Sequence, residues 1–307
     1  MTAAPTISVI IPTHNRGDRI VRAVDSILIQ SFHSYEIVIV DDGSTDHTAE
    51  AVQGIQDPRV RYVAQHNQGA AAARNRGVQF SRGRYLTFLD SDDRVLPGWL
   101  ETMVDALTDH GADLVCCGVE VVGPEDGAGL IRLPSNMGDA FNNMPGPLLA
   151  GAYALRKEVF ERVGGFDAKC STGQHTDFAL RLAELSEHQP IKTQAVMSAY
   201  LQFVQHPGER LSQNARKRLD GTLYLLTKHQ ARLKRNRWGL ADYWSVAAVS
   251  AHKLGQRHLA SSYFLEAARL TPYRPKLWLR YLMSVTGLVP SGIWQARRST
   301  TAQEIRA

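Results

Sequence analysis

The sequence predicts an α/β fold: a mostly parallel sheet flanked by helices, followed by a helical C-terminal region. Three observations carry this. Apolar runs alternate with amphipathic segments from Ile7 to Val122, carboxylates close two of the apolar runs, and after Pro207-Gly208 the pattern reads as helix throughout. Strand–helix alternation of this regularity implies right-handed crossovers and parallel strands.

Ile7-Ser8-Val9-Ile10-Ile11 is a short apolar run stopped by Pro12, as befits a buried parallel strand. Residues 18–30 place Ile20, Val21, Val24, Ile27 and Leu28 at helical spacing. Tyr35–Val40 is a second strand ending in Asp41-Asp42-Gly43-Ser44. Thr45–Gly54 reads as a helix, Val60–Ala64 as a strand, and Gly69–Ser81 as a helix. Tyr85–Leu89 is a fourth strand, ending in Asp90-Ser91-Asp92-Asp93. Pro97 opens a helix to about His110, and Leu114–Val122 is a further strand. From Gly123 to Pro147 the pattern dissolves into Gly, Pro, Asn and Asp, a loop long enough to act as a lid. Helices at Arg156–Val163 and Thr176–Leu185 bracket Gly164-Gly165-Phe166-Asp167. Residues 243–271 space Ala247, Ala251, Leu254, Gly255, Ala260, Phe264 and Ala267 much as a tetratricopeptide hairpin does. A solenoid needs three such repeats, so a small helical cap is the plainer expectation.

With 307 residues, 44% hydrophobic and 21% charged, the chain can build a large core, and its composition excludes disorder, collagen and coiled coil. No run approaches the roughly 18 apolar residues of a membrane-spanning helix. Nothing before Pro5 resembles a secretory signal. Three cysteines make no disulfide framework, and a reducing cytoplasm is the expected location. The charge is split. Residues 1–208 hold 17 Lys+Arg against 25 Asp+Glu, a balance of −8, and residues 209–307 hold 18 against 5, a balance of +13. This divides the chain into an acidic, catalytic-looking part, 1–208, and a basic, mostly helical region, 209–307.

Ligands of open α/β sheets bind beyond the carboxyl ends of the strands. Carboxylates gathered there repel one another unless a cation joins them. Oxygen-only ligation suits Mg²⁺ or Mn²⁺, which typically arrives with substrate phosphates. A single Asp after a strand is ordinarily a turn or cap residue, and Asp46 is assigned that role. The Asp90–Asp93 cluster exceeds what one cap needs.

Taken together, these segments resemble family 2 glycosyltransferases. The resemblance rests on Ser8-Val9-Ile10-Ile11-Pro12-Thr13-His14-Asn15-Arg16 and Asp41-Asp42-Gly43-Ser44-Thr45-Asp46. Asn67-Gln68-Gly69, Ala73-Arg74-Asn75-Arg76-Gly77, Phe88-Leu89-Asp90-Ser91-Asp92-Asp93 and Gly164-Gly165-Phe166-Asp167 follow in the family's order, over roughly residues 6–206. It implies a GT-A fold, Rossmann-like, and an inverting transfer of a sugar from a nucleotide-diphosphate-sugar, a UDP-sugar foremost. The acceptor is a hydroxyl on a glycan, lipid-linked glycan or protein, in polysaccharide or glycoconjugate biosynthesis. By position in the motifs, Pro12, Thr13, Asn15, Asp42, Arg74, Asp90 and Ser91 would bind the donor nucleotide. Asp92 would ligate Mn²⁺ or Mg²⁺, and His206, near the end of the catalytic domain, would complete the metal shell or be a surface histidine.

One stretch departs from the family. Where it carries Glu-Asp, with the Asp as general base, this chain reads Gln174-His175-Thr176-Asp177 ahead of Arg181. A neutral imidazole can accept a hydroxyl proton as a carboxylate can. The base is therefore His175, or Asp177 two residues on. Asp177 could equally favour a helix N-terminus capped by Thr176. If the base is lost, the chain is a non-catalytic sugar-nucleotide-binding or scaffold protein. A nucleotidyltransferase is disfavoured because no glycine-rich basic loop follows the first strand.

Between Glu209 and Leu240, nine basic residues are interleaved with Leu211, Leu219, Leu223, Leu226 and Leu233. Such a helix either lies on an anionic membrane, at its inner face, or packs its leucines and leaves its charges solvated. No recognised nucleic-acid-binding motif accompanies the charge.

Overall fold

The computed structural model describes residues 4–123, 129–205 and 214–286, in two compact units. One comprises Met1–Asn136, Met144–Ala168 and Arg181–Pro207; the other comprises Met137–Asn143, Lys169–Leu180 and Gly208–Ala307.

The first unit contains every strand among the described residues. In chain order its elements are β1 (Ile7–Thr13), α1 (Gly17–Leu28), β2 (Tyr35–Asp41), α2 (Thr48–Gln53), β3 (Val60–Ala64) and α3 (Ala70–Phe80). Next come β4 (Tyr85–Phe88), β5 (Arg94–Val95), α4 (Trp99–Thr108), β6 (Leu114–Val122), β7 (Leu130–Arg132), β8 (Ser135–Asn136) and β9 (Pro145–Gly146). β10 (Tyr153–Arg156), α5 (Lys157–Val163), α6 (Gln174–His188) and β11 (Thr193–Val204) complete it, the first turns of α6 belonging to the other unit. The main sheet runs β3-β2-β1-β4-β10-β6-β11-β5, with β7 on β6. The pairs β3–β2, β2–β1, β1–β4 and β6–β11 are parallel, whereas β10 is antiparallel to both neighbours. This is the expected α/β architecture, with antiparallel pairs contributed by β5, β7 and β10.

Local chemistry accounts for most boundaries. β1 and β2 are buried along their whole length, which is why both read as unbroken apolar runs. β1 continues through Pro12 rather than stopping there. Ile10 O faces β4, accepting from Leu89 N–H at 3.0 Å, and Thr13 O faces β2, accepting from Asp42 N–H at 2.9 Å. Pro12 therefore turns its nitrogen toward the β4 side, where pairing ends at Ile10–Phe88, and no ladder bond is lost. α2 starts at Thr48, not Thr45, because side chains hold residues 43–47 as a turn. α1 buries Ile20, Ala23, Val24 and Ile27. Trp99, the largest fully buried side chain among the described residues, gives its indole N–H to Gly151 O at 2.9 Å.

Three expectations need correction. The Gly123–Pro147 stretch is not devoid of structure: its described part holds β7, β8, β9 and a 3₁₀ turn at Asp139–Phe141. β5, β10 and β11 have no counterpart among the strands expected from the sequence. α6 begins at Gln174, two residues before Thr176, so Thr176 lies inside the first turn and is not its cap.

The second unit is helical: α7 (Ala215–Lys228), α8 (Gln230–Leu233), α9 (Arg237–Lys253), α10 (Arg257–Leu270) and α11 (Pro275–Thr286). Asn214 and Asn236 cap α7 and α9 through side-chain oxygens that accept from Lys217 and Gly239 N–H, each at 3.0 Å. Alanines let the helices approach closely. Ala247, Ala251 and Ala260 pack on Leu219, and Ala241, Ala267 and Ala268 on Leu277. Leu219, Leu226 and Leu233 are buried and Leu223 half-buried, so these leucines of the basic segment face the bundle; Leu211 lies outside the described residues. No helix among the described residues is long and apolar enough to cross a membrane. The cysteines are free, and burial pushes the Cys116 and Cys117 thiols up to about 12, which makes them packing groups rather than nucleophiles.

Candidate active site

β1 lies between β2 and β4, all parallel, so their carboxyl ends share one sheet edge. Thr13, Asp41-Asp42 and Asp90 all emerge there. Asp41 and Asp42, though buried, do different work. Asp41 accepts from Ser44 N–H (2.8 Å) and the Tyr62 hydroxyl (2.7 Å). Burial and that bond push the Tyr62 phenol up, so it remains a donor. Asp42 accepts from the Gln65 side chain (2.7 Å) and from Gln68 and Gly69 N–H (2.8 Å each). It thereby fixes the Asn67-Gln68-Gly69 loop and keeps about one of its roughly four acceptor positions for anything else.

Asn15, in the left-handed region at φ 51°, ties the turns after β1 and β2 together. Its N–H donates to the Ser44 hydroxyl (2.9 Å) and its side-chain oxygen accepts from Thr45 N–H (2.8 Å). Asp46 joins the starts of two helices, accepting from Thr48 N–H (3.0 Å) and Gly17 N–H (3.2 Å), which is the turn role expected of it. Burial pulls its carboxyl upward, but these bonds and one from the Thr48 hydroxyl outweigh that and hold it low. Thr13 is 3% exposed and its hydroxyl has no hydrogen-bond partner. Beside buried Pro12, it is a polar atom to which a ligand can bond.

After β4, Asp90, Asp92 and Asp93 bring carboxylate oxygens within 4.8 Å of one another. Asp93, 2% exposed, also accepts from Val204 N–H at 3.0 Å, which anchors one end of the cluster. Buried Arg74 approaches Asp90 at 2.5 Å and lies 5.6 Å from the centre of the Phe166 ring. A set of hard oxygen donors this dense, with one guanidinium against it, fits a divalent cation. His206 lies outside the described residues.

α3 makes this arrangement possible. At Gly77 a Cβ would come within 2.4 Å of Ile10 Cγ2, so only glycine lets the helix pack this closely on β1. Asn75 clasps the Gly164-Gly165-Phe166-Asp167 turn from both directions, donating to Phe166 O (2.8 Å) and accepting from Phe166 N–H (2.9 Å). Gly164 and Gly165 bend through φ 84° and 69°. Arg181 donates to Val163 O and Gly165 O, both at 2.6 Å. Phe166 stacks edge-on against Phe88 at 5.0 Å.

In the other unit, His175 is half-buried in the first turn of α6. Asp177 is 0% exposed, and its Oδ1 lies 2.7 Å from Lys228 Nζ and 2.8 Å from His229 Nε2. Sequence reasoning passed over Asn75, Gln65, Lys228 and His229. Asn75 adjoins Arg74 inside a quoted motif, but nothing local marks residues 228 and 229 as partners of Asp177.

The family model described as glycosyl transferase family 2 matches residues 8–164, half of the chain. The chain belongs to glycosyl transferase family 2. Among relatives, it is 33% identical over 149 residues to the uncharacterized glycosyltransferase YibD of Escherichia coli K12, covering 48% of this chain and 43% of that protein. It is 40% identical over 119 residues to the succinoglycan biosynthesis protein ExoO of Rhizobium meliloti, covering 38% and 34%. The matched stretches thus span less than half the length of these relatives. In fold it is similar to S. aureus TarS 1-349 in complex with UDP-GlcNAc, with a TM-score of 0.61 and 16% identity over 92% of this chain and 88% of that one. The fold is accordingly GT-A.

Proposed function

We propose that this family 2 chain is a metal-dependent, inverting glycosyltransferase of the hexosyl type. It moves a sugar from a UDP-sugar to a hydroxyl of a glycan, lipid-linked or protein acceptor, in polysaccharide or glycoconjugate biosynthesis in the cytoplasm. The observation that carries the reading is the Asp90–Asp92–Asp93 cluster, faced by Arg74 at the sheet edge where ligands of such folds bind. The relative ExoO, named for succinoglycan biosynthesis, and the UDP-GlcNAc complex of TarS support the product and donor classes.

In this reading Pro12, Thr13 and Asn15 line the nucleoside, Asp42 shapes the loop beside it, and Arg74, Asp90 and Ser91 face the ribose and diphosphate. Asp92 ligates Mn²⁺ or Mg²⁺ with its acidic neighbours, and His206 stands as a further ligand candidate. The ion, when bound, neutralises charge on the departing nucleoside diphosphate. His175 takes the acceptor's hydroxyl proton as that oxygen bonds the anomeric carbon and the diphosphate oxygen leaves. Asp177 is the poorer base because Lys228 and His229 already engage its fully buried carboxylate.

The test is a thermal-shift screen of nucleoside diphosphates and their sugars with Mn²⁺, followed by assay of nucleoside diphosphate release. His175→Ala should lose at least about a hundredfold in transfer with donor binding unchanged. Stabilisation by a UDP-sugar without any release of UDP would instead make the chain a sugar-nucleotide-binding protein.

A further inference from the structure

The described leucines of α7 and α8 are turned into the bundle and not toward a membrane. α11 has an apolar outer face. Its inner side buries Leu277, Arg280, Met283 and Ser284. Its outer side exposes Leu279 (46%), Leu282 (56%) and Val285 (60%), one stripe at three-residue spacing. Twelve residues make a helix about 18 Å long, too short to span a bilayer but long enough to lie along one.

What the stripe fits follows from the rim at its first turn. Arg274, in the turn that opens α11, pairs with Asp242 in the first turns of α9 (2.5 Å) and lies over the Trp238 ring (4.6 Å). The starts of α9 and α11 and the end of α10 therefore share one end of the bundle. Gathered there are Arg237, Arg269 and Lys276, together with the exposed aromatics Trp238 (45%) and Tyr273 (83%). Residues 214–286 carry 14 Lys+Arg against 3 Asp+Glu, so the unit as a whole is attracted to negative surfaces. Cations and amphipathic aromatics at one end of an outward apolar stripe are what the headgroup layer of an anionic bilayer accommodates.

We propose that the outer face of α11, with its basic and aromatic rim, is a docking surface for an anionic lipid bilayer. The rim cations meet the headgroups, and Leu279, Leu282 and Val285 enter the boundary with the acyl chains. Bilayer docking by this face does not depend on the sugar-transfer chemistry.

The full chain should co-sediment with phosphatidylglycerol-containing vesicles at least tenfold more than with pure phosphatidylcholine vesicles at about 0.1 M salt, where electrostatic attraction still reaches about 10 Å. Part of that binding should persist at high salt, because apolar insertion is not screened. Replacing Leu279, Leu282 and Val285 together by Ser should cut binding at least tenfold and abolish the salt-resistant part, with Tm unchanged. Lys276→Glu should weaken only the salt-sensitive part. Absence of wild-type sedimentation at low salt, or binding by the triple variant equal to wild type, overturns the proposal. So does a wild-type dimer that the triple variant makes monomeric, since that assigns the stripe to a second copy of the chain.

Discussion

The Arg74 guanidinium stands 2.5 Å from the Asp90 carboxylate, so a cation of the chain's own already sits against the acidic cluster. Arg74 is 6% exposed on its side chain and Asp90 38%, which places the pair at the wall of the site rather than in free solution. Removing the guanidinium leaves the carboxylates facing one another. Arg74→Gln should therefore lower Tm in the absence of metal, and Mn²⁺ should raise the variant's Tm by more than it raises that of the wild type. An equal response of both proteins would show that the pair does not screen the cluster.

Asp92→Asn should remove the Mn²⁺-dependent stabilisation by UDP while leaving apo stability nearly unchanged. If the apo variant loses several kcal/mol yet still binds UDP with Mn²⁺, Asp92 is a structural residue.

Gly77→Val places a Cβ within 2.4 Å of Ile10 Cγ2 in fully buried surroundings. Overpacking of this kind costs about 1–3 kcal/mol. Chemical denaturation should show that loss, with the slope unchanged.

Asp177→Asn leaves Lys228 and His229 without their shared carboxylate. Breaking a buried pair costs about 3–5 kcal/mol, and the 28% exposure of Lys228 puts the expectation at the lower end. The loss should appear in denaturation. Transfer by the folded variant should fall less than in His175→Ala.

Glu36 gives a stability that depends on pH. Burial pulls its carboxyl upward, but Arg82 N–H, the Ser8 hydroxyl and Arg61 outweigh that and hold it below the ordinary 4.5. A folded value below the unfolded one stabilises above the unfolded value and fades as pH falls through the folded one. The stability advantage of wild type over Glu36→Gln should thus be full at pH 6–7 and shrink below about pH 4.5, as urea midpoints across that range would show.

Much of this was legible from residue order alone. β6 runs from Leu114 to Val122, as its apolar pattern requires, because a strand buried over most of its length selects apolar side chains; β3 keeps its expected bounds, Val60 to Ala64, although it is only half-buried. β10 escaped notice because Tyr153–Arg156 is four residues whose identity as a strand comes from neighbours 30 or more positions away. β11 is half-exposed for most of its length and carries irregular register near Val196 and Ala199, which blurs its alternation. At the site, the clustering of Asp90, Asp92 and Asp93 was readable because sequence neighbours stay neighbours. The engagement of Asp177 by residues 228 and 229 was not, since helix packing alone creates that contact.

Arg74, Asn75 and Gly77 lie within four positions of α3 and answer to three different neighbours: a carboxylate, a turn and a strand. Each residue along a helix advances the direction of its side chain by about 100°. One inserted or deleted residue ahead of Arg74 within α3 would therefore misdirect all three at once, with no single compensating substitution to restore them. A change of length in the first turns of α3 should do far more damage than an exchange of side chain at its exposed Arg76.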